Sequence, residues 1–354
     1  MDTSATAGRK GPAKRIALLR LSVLAAIAVV GLAACAPAAF RTAGHGTAAG
    51  ATSASSSMPM PMPAGQTHQK MAMPENPLGH LIANAACEQG VDAYIEWTAD
   101  DRAGLYFAEL GAAPRASSVL YDRAASAISK VTPGSIDWAS VFDGARWFHV
   151  SGITPALSKS AAIVTEESLT AAKKAGLTVS YDLNYRSKLW SAKEARAVQE
   201  PLMEHVDVLM TTEEDTRVVF GINEPRNSYE HLESEAYDEV ARSLQKRFDL
   251  SAVAVTLREN PLVLLNSWSA IVAADGEIHR APRYEVEVVD RIGAGDAFSA
   301  GLIVSRLDNR SWGDTVRFAT AASALKHSIP GDFCLVTRSE VEQLLRGGSL
   351  RVSR

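Results

Sequence analysis

The sequence has few cysteines and no concentration of charge of one sign. Its three cysteines, Cys35, Cys87 and Cys334, are too few and too widely separated for a zinc site or a disulfide framework. The formal net charge is −4 and no long run of Lys or Arg occurs, which argues against a nucleic-acid partner bound through its phosphates. Small molecules are therefore the expected partners.

The sequence also lacks the composition of a disordered chain, and it has no visible internal repeat. Apolar residues make up 47% and charged residues 21% of its 354 positions. This balance and length allow one large globular domain, or two small ones, with a sizeable hydrophobic core.

The first 35 residues have the layout of a secretory signal segment. Basic residues occupy the start, and the charge-free apolar run Leu21–Ala34 follows, too short to span a bilayer as a permanent helix. The string LAAC, which ends at Cys35, resembles the bacterial lipobox, where the processed cysteine becomes the lipidated first residue. We therefore expect residues 1–35 to be a lipoprotein-type signal, with membrane attachment through Cys35; a buried core helix is the alternative.

Residues 36–74 consist largely of Ala, Ser, Gly, Thr, Pro and Met, with almost no aromatic or β-branched residues. Such a segment buries too little apolar surface to offset its ordering entropy, so we predict a disordered linker. Its thioethers are soft ligands that suit Cu(I), and prolines between them would keep the sulfurs outside a packed core. A plain linker and a copper site therefore both remain open; the residues concerned are Met58, Met60, Met62, His68, Met71 and Met73.

From Glu75 onward, apolar strand patterns alternate with helical patterns, which predicts an α/β domain over residues 75–354 with a parallel sheet between helices. Ligands bind such sheets beyond the carboxyl ends of the strands, where this sequence has SGIT, DLNYR, TTEED and TLRE. Short alternating segments over about 92–124 indicate an antiparallel lid. The strings LVLLNSWSAIVAA and YEVEVV indicate a meander that leads into a glycine motif.

That motif is DRIGAGDAFSAG. It is not a dinucleotide fingerprint, because Phe298 stands in place of the third glycine, and it has no Walker A lysine after its second glycine. Gly293 and Gly295 instead allow backbone N–H groups to face an anion at the start of a helix. Asp296 then suits the role of accepting the proton of an attacking hydroxyl in phosphoryl transfer. The alternative is that Asp296 only caps the helix.

The same motif resembles the C-terminal motif of ribokinase-like (PfkB) sugar kinases, and the resemblance extends from about Glu75 to the end. The strings GLYFAE, SSVLYDRA, WFHVSGITPAL, DLNYR and KHSIPGD are most similar to 2-keto-3-deoxygluconate kinases. The resemblance implies a ribokinase-like parallel sheet flanked by helices, with a small antiparallel β lid through which copies of the chain would associate. It implies transfer of phosphate from ATP, with Mg²⁺, to a sugar acid, as in formation of 2-keto-3-deoxygluconate 6-phosphate.

The resemblance also implies roles for individual residues. Asp296 would be the general base, and the backbone of Gly293, Ala294 and Gly295 the anion hole. The residues implied to bind the substrate are Tyr106, Tyr121, Arg123, Ile153 and Arg186. Those implied to bind the nucleotide are Asn184, Thr256, Arg258, Ser267 and Asp332, and those near the metal are Glu214 and Asp215. For the two tyrosines, packing within the lid is the alternative; for Arg123, a surface ion pair.

Three features depart from the family pattern. Arg291 follows Asp290 where the family usually has threonine, and the family's Asn-x-x-Glu element starts here with Thr212. No Gly-Gly-x-x-x-Asn element and no first strand with an acidic residue precede Glu75, so we expect the first strand region and part of the sugar site to be missing. An impaired kinase remnant fused to an envelope leader is therefore the alternative function, and cytoplasm and cell envelope both remain open as locations.

Overall fold

The computed structural model describes residues 28–30, 68–109, 111, 114–222, 236–262 and 264–347. The strands are β1 (Ala28–Val30), β2 (His68–Pro74), β3 (Asp92–Thr98), β4 (Leu105–Glu109), β5 (Ser118–Asp122), β6 (Trp147–Ser151), β7 (Thr178–Asp182), β8 (Val208–Thr212), β9 (Ala252–Leu262), β10 (Leu265–Ala274), β11 (Glu277–Arg280) and β12 (Tyr284–Glu287). The helices are α1 (Pro77–Glu88), α2 (Trp138–Val141), α3 (Ile153–Ala156), α4 (Lys159–Lys174), α5 (Ala192–Leu202), α6 (Glu213–Asp215), α7 (Ala236–Phe248), α8 (Ala294–Leu307), α9 (Trp312–Lys326) and α10 (Arg338–Leu345).

Within the described ranges, ten strands form one sheet in the order β11-β10-β9-β8-β7-β6-β1-β2-β3, and β12 pairs with β10. The strands from β9 to β3 in this order are parallel to their neighbours. Strand β10 runs antiparallel to β9, β11 and β12, as the predicted meander requires. The sheet is therefore mixed, with a parallel core.

Helices cover both faces of this sheet. On one face, Leu169 of α4 and Leu244 of α7 pack with the strand residues Val179 and Val253 in the largest apolar cluster. On the other face, helices α8 and α9 pack on the alternate residues of the same strands. Strands buried on both sides need nearly continuous apolar sequence, and all five residues of β6 are buried. This is why the central strands were recognisable in the sequence.

The lid is smaller than predicted. Strands β4 and β5 pair with each other in a separate two-stranded sheet, which confirms an antiparallel flap. Strand β3, however, was predicted within the lid and is instead an edge strand of the main sheet, parallel to β2. An edge strand with one covered face shows the same alternation of apolar and polar residues as a lid strand, so the pattern alone did not separate the two.

The linker predicted over residues 36–74 is wrong for its last seven residues, which form strand β2. Met71 and Met73 are 4% and 1% exposed and pack with Ala86 and Val91 beneath α1. A flexible thioether fills such core gaps well, so these two sulfurs are core atoms and not accessible copper ligands. Met58, Met60 and Met62 lie outside the described residues, and a copper site there stays a prediction.

The expected absence of a first strand is also wrong, because β1 lies inside the sheet, paired with β2 on one side and β6 on the other. A short run of Ala and Val is typical of an inner strand of a parallel sheet and also of the apolar part of a signal segment. The two uses exclude each other in one molecule, because cleavage before Cys35 would remove Ala28–Val30. No helix in the described ranges is long and apolar enough to cross a membrane.

The packing of α8 on α9 gives a first testable prediction. A Cβ atom at Gly301 would lie 2.9 Å from the Ala319 Cα, whereas one at Gly313 would find its nearest neighbour at 3.7 Å. We expect Gly301→Ala to lower the free energy of unfolding by about 1–3 kcal/mol through overpacking. Gly313→Ala, the matched control within α9, should leave it unchanged or raise it by up to about 1 kcal/mol. Urea unfolding of both variants measures the difference, and equal stability would contradict the close approach.

Candidate active site

A cleft of about 690 Å³ opens at the carboxyl ends of the parallel strands, beneath the lid. Residues that follow β6, β7 and β8 reach it, and so do Thr256 and Arg258 within β9 and the start of α8. All but one of the site residues predicted from the sequence line this cleft. They are Tyr106, Tyr121, Arg123, Ile153, Asn184, Arg186, Glu214, Asp215, Thr256, Arg258, Gly293, Ala294, Gly295, Asp296 and Asp332.

Ser267 is the exception: it does not line this cleft, and its place beside a nucleotide stays a prediction. Its Oγ donates to Glu285 Oε1 at 2.6 Å and accepts from Arg283 Nη2 at 2.7 Å, beside a separate cavity of about 140 Å³. Side chains alternate along a strand, and the next residue, Trp268, lines the cleft. Ser267 therefore lies on the opposite face of β10.

The start of α8 is shaped by two glycines with different constraints. Gly293 is the N-cap residue, with φ of 76°, and a Cβ there would lie 2.3 Å from the Asp332 carbonyl oxygen. Gly295 is exposed to the cleft, and no atom lies within 4 Å of where its Cβ would be. No side chain caps the helix, and Asp296 lies within the first turn, so the hypothesis that Asp296 is the cap is wrong. The backbone N–H groups at this end can bind an anion.

Asp290 fixes the loop that leads into this helix. Its Oδ1 accepts from the Ile292 N–H at 2.9 Å, and its Oδ2 accepts from the Gly331 N–H at 2.9 Å. The backbone N–H groups of Val289 and Asp290 both donate to the His327 carbonyl oxygen. The first acid of the motif therefore has a structural task that sequence reasoning did not assign, because Gly331 and His327, which join it to the other loop, are distant in sequence.

Three carboxylates share the charge of Arg186 in the middle of the cleft. Burial, together with the charges of Asp296 and Asp215, raises the pKa of Asp182 to about 7 against the opposing charge of Arg186. Burial likewise raises the pKa of Asp215 to about 6 and raises that of Asp296, again against the charge of Arg186. Arg186 is thus the common counter-ion of this group. Sequence reasoning placed Asp182 beside Arg186 but gave it no role.

Asp332 lies on the opposite wall, against Gly293. Burial raises its pKa to about 7, and the charge of Asp296 adds to this, while Lys326 and Arg123 oppose it. Lys326 is fully buried and its Nζ donates to the Ile329 carbonyl oxygen at 3.0 Å. Asp332 therefore lies within the electrostatic reach of both the α8 start and the lid arginine.

Arg123 lies between two lid tyrosines. Its guanidinium carbon is 4.6 Å from the ring centre of Tyr121 and 5.6 Å from that of Tyr106. Its Nε and Nη1 are buried and have no hydrogen-bond partner in the part of the chain that the structure describes. The alternative of a surface ion pair is therefore wrong. The lid itself is tied to the loop after β7, because Lys188 Nζ donates to the Val119 carbonyl oxygen at 2.9 Å.

The far end of the cleft carries Arg258, Trp268, Arg291 and His327. Trp268 lies directly across from Arg258 in the β9–β10 pair, and its ring is 5.0 Å from that of His327. Only Arg258 of these four was assigned to the site from the sequence, since the other contacts depend on strand register and on the position of α9.

The residues present provide a partial site for Mg²⁺. No group of three metal-binding side chains occurs among residues the structure describes. Asp215 Oδ2 already accepts from the Tyr185 N–H at 3.3 Å, whereas Glu214 is exposed in the cleft. Mg²⁺ commonly uses one or two carboxylates together with substrate phosphates and waters, and Glu214 fits that arrangement.

Comparison with known proteins agrees with this architecture. Residues 66–332 match the sequence model of the pfkB family of carbohydrate kinases. The chain belongs to this family. Its resemblance to ribokinase-like kinases and its α/β fold, predicted from the sequence, are thereby confirmed.

Individual members of the family are also similar. A 2-dehydro-3-deoxygalactonokinase of Haloferax volcanii is 38% identical over 283 residues, covering 80% of this chain and 82% of that protein. A solved 2-dehydro-3-deoxygluconokinase of Thermotoga maritima has a TM-score of 0.75 at 43% identity, covering 80% and 84%. A solved chain from E. coli, in complex with ATP and Mg²⁺, has a TM-score of 0.65 at 19% identity, covering 80% and 83%; this likeness concerns the fold alone.

The carboxylates of this pfkB-family cleft predict a pH dependence of stability. Asp182 has an ordinary pKa of 3.8 and a pKa of about 7 in the folded chain, so the folded state keeps a proton that the unfolded state loses. The free energy of unfolding should therefore fall as the pH rises from about 4 to about 7. Asp182→Asn should reduce this fall by an amount on the order of 1–4 kcal/mol.

Urea unfolding at pH 5 and pH 7.5 measures the effect. Asp275→Asn is a suitable control, because Asp275 is exposed and its φ of 52° is one that asparagine adopts readily. A pH dependence that is the same in the Asp182→Asn variant and the wild-type chain would contradict the assignment.

Proposed function

We propose that this chain transfers the terminal phosphate of ATP to the primary hydroxyl of a 2-keto-3-deoxy sugar acid. One observation carries the proposal: a single cleft holds both the start of α8, which bears Asp296 and no capping side chain, and the lid arginine Arg123. The buried Nε and Nη1 of Arg123 have no hydrogen-bond partner among the described residues. The helix start suits phosphoryl transfer to a hydroxyl, and the arginine suits an anionic acceptor.

In this proposal Asp296 is the general base. Its carboxylate takes the proton of the attacking hydroxyl as the new O–P bond forms and the bond from phosphorus to the ADP oxygen breaks. Burial raises the pKa of Asp296, and the nearby guanidinium of Arg186 favours the ionised form that a base requires. The backbone N–H groups at the start of α8, of which that of Ala294 donates to the Arg291 carbonyl oxygen at 3.3 Å, would bind the charge on the transferred phosphoryl group.

The carboxylate of the sugar acid would bind Arg123. A guanidinium donates two parallel hydrogen bonds to a carboxylate, and Arg123 is held by Tyr106 and Tyr121 before any ligand arrives. A neutral sugar would leave the Arg123 Nε and Nη1 without partners, which costs free energy in a buried site. The lid therefore favours sugar acids over neutral sugars.

The nucleotide would occupy the end of the cleft near Thr256 and Arg258, and Mg²⁺ on its phosphates would neutralise their charge, with Glu214 as the nearest accessible carboxylate. Asn184 Nδ2 donates to Ser151 Oγ at 2.7 Å, so its contribution is to shape the loop between these groups. We propose 2-keto-3-deoxygluconate as the acceptor. Because the Haloferax volcanii relative is a 2-dehydro-3-deoxygalactonokinase, the galactonate epimer should be tested beside it.

The base assignment predicts the effect of Asp296→Asn. An amide cannot accept the hydroxyl proton, so kcat should fall by about 10²–10⁴-fold while ATP binding is retained. Purified full-length chain is mixed with Mg-ATP and each keto-deoxy acid, and the phosphorylated product is measured by mass spectrometry. The exposed-site variant Asp275→Asn is the control. Absence of turnover by the wild-type chain with either acid would overturn the proposed function.

The carboxylate assignment predicts the effect of Arg123→Gln. Loss of the charged bidentate donor should raise KM for the sugar acid by about tenfold to a hundredfold, with KM for ATP unchanged. Arg115→Gln is the matched control, because Arg115 lies near the lid and pairs with Glu109 at the surface. Steady-state kinetics with each substrate varied in turn distinguishes the two. An unchanged KM for the acid would show that the carboxylate is bound elsewhere.

A further inference from the structure

Arg291 occupies the second position of the glycine motif, and the structure places its half-buried side chain in the cleft. The loop is rigid at this point, because Asp290 uses both carboxylate oxygens to accept backbone N–H groups on either side of the cleft wall. The backbone at Arg291 is therefore held by the hydrogen bonds of Asp290, and the Arg291 side chain is not needed to hold the loop. Neither the motif chemistry nor the family resemblance gave this residue a role.

Adjacent residues of the loop face opposite ends of the cleft. Ile292 packs with Tyr106 and Tyr121 of the lid. Arg291 instead follows the two residues, Val289 and Asp290, whose N–H groups donate to the His327 carbonyl oxygen, and it lies within electrostatic reach of Arg258. His327 contacts Trp268, which is the cross-strand partner of Arg258. The Arg291 side chain therefore belongs to the end of the cleft away from the sugar-acid arginine.

Half-buried Arg291 and exposed Arg258 lie at the same end of the cleft, and their like charges repel each other. Burial lowers the pKa of Arg291, the charge of Arg258 lowers it further, and the adjacent Asp290 opposes both. Glu213 and Glu214 follow the neighbouring strand, and the charge of Arg258 helps to ionise Glu213 although burial raises the pKa of Glu213 to about 7. An anion with several oxygens, placed between the two arginines, would remove this repulsion. Phosphate suits the site best, because guanidinium groups bind its oxygens in pairs.

We propose that Arg291 is a phosphate-binding residue that, together with Arg258, holds the polyphosphate of the donor nucleotide. The inference rests on the proposed function for the identity of the reaction, but it concerns nucleotide binding and can be tested without turnover. The α8 start would bind the phosphoryl group that is transferred, and the two arginines would bind the phosphates that leave with the nucleoside diphosphate.

The test is equilibrium binding of adenosine, ADP and ATP to the full-length chain by calorimetry, with Arg291→Gln, Arg291→Lys and the wild type compared. Loss of a charged bidentate contact should weaken ATP and ADP binding by about tenfold or more and leave adenosine binding unchanged. Arg291→Lys should recover only part of the loss, since an ammonium group keeps the positive charge but cannot donate two parallel hydrogen bonds. Arg242→Gln is the control, because Arg242 is exposed and donates to the Gly276 carbonyl oxygen far from the cleft.

Thermal unfolding without nucleotide gives a second readout that a structural role would not produce. Removal of one of two like charges should leave the unfolding temperature of Arg291→Gln equal to or above that of the wild type. The stabilisation by ATP should be smaller in the variant, because it scales with the logarithm of ligand concentration over Kd. The double variant with Arg258→Gln should lose less affinity than the sum of the single losses, since both residues would bind one anion.

Three outcomes would overturn the proposal. Unchanged ADP and ATP affinity in Arg291→Gln would exclude a phosphate contact. Weaker binding of the sugar acid alone would place Arg291 at the acceptor. An equal loss for adenosine and ATP, with a lower unfolding temperature, would show a general structural defect. If the wild-type chain binds ATP in this pattern but phosphorylates neither acid, the proposed function fails and the assignment of Arg291 stands.

Discussion

The chemistry of this molecule depends on a helix that begins without a capping side chain. Helix α8 starts at Gly293, in a backbone conformation that disfavours other residues and at a contact with Asp332 that leaves no space for a Cβ atom. Asp290 holds the preceding loop by two backbone hydrogen bonds. The rest of the cleft is arranged around this helix end: the strand termini supply polar groups on one side, and the lid covers the other.

The electrostatics of the cleft follow from that arrangement. Acids collect in the middle, where Asp182, Asp215 and Asp296 share Arg186, and guanidinium groups lie at the two ends, with Arg123 at one and Arg258 and Arg291 at the other. Such a distribution is unfavourable in the free chain, since burial opposes the charge on each carboxylate. It becomes favourable when anionic ligands occupy the ends, so ligand binding and the ionisation of the central acids are coupled.

Much of this was predictable from the sequence. Strands buried on both faces are nearly continuous apolar runs and can be recognised as such. Polar strings at their carboxyl ends mark the edge of the sheet where ligands bind. The predicted residues from Tyr106 to Asp332 therefore meet in one cleft. Sequence patterns did not suffice where tertiary context decides. The alternation in β3 fits an edge strand as well as a lid, the burial of Met71 depends on α1, and the direction of Ser267 depends on the register of β10. Asp290 and His327 act through backbone partners that no local pattern reveals.

The hydrogen bond from Lys188 to the Val119 carbonyl joins the lid to the loop that also carries Asn184 and Arg186. A swing of the lid away from the cleft must therefore break this bond or pull that loop with it. Under the proposed function, release of the phosphorylated acid by such a swing would loosen the counter-ion of the central carboxylates at the same moment. The protonation of Asp296, the proposed base, would then be reset during release and not in a separate step between turnovers.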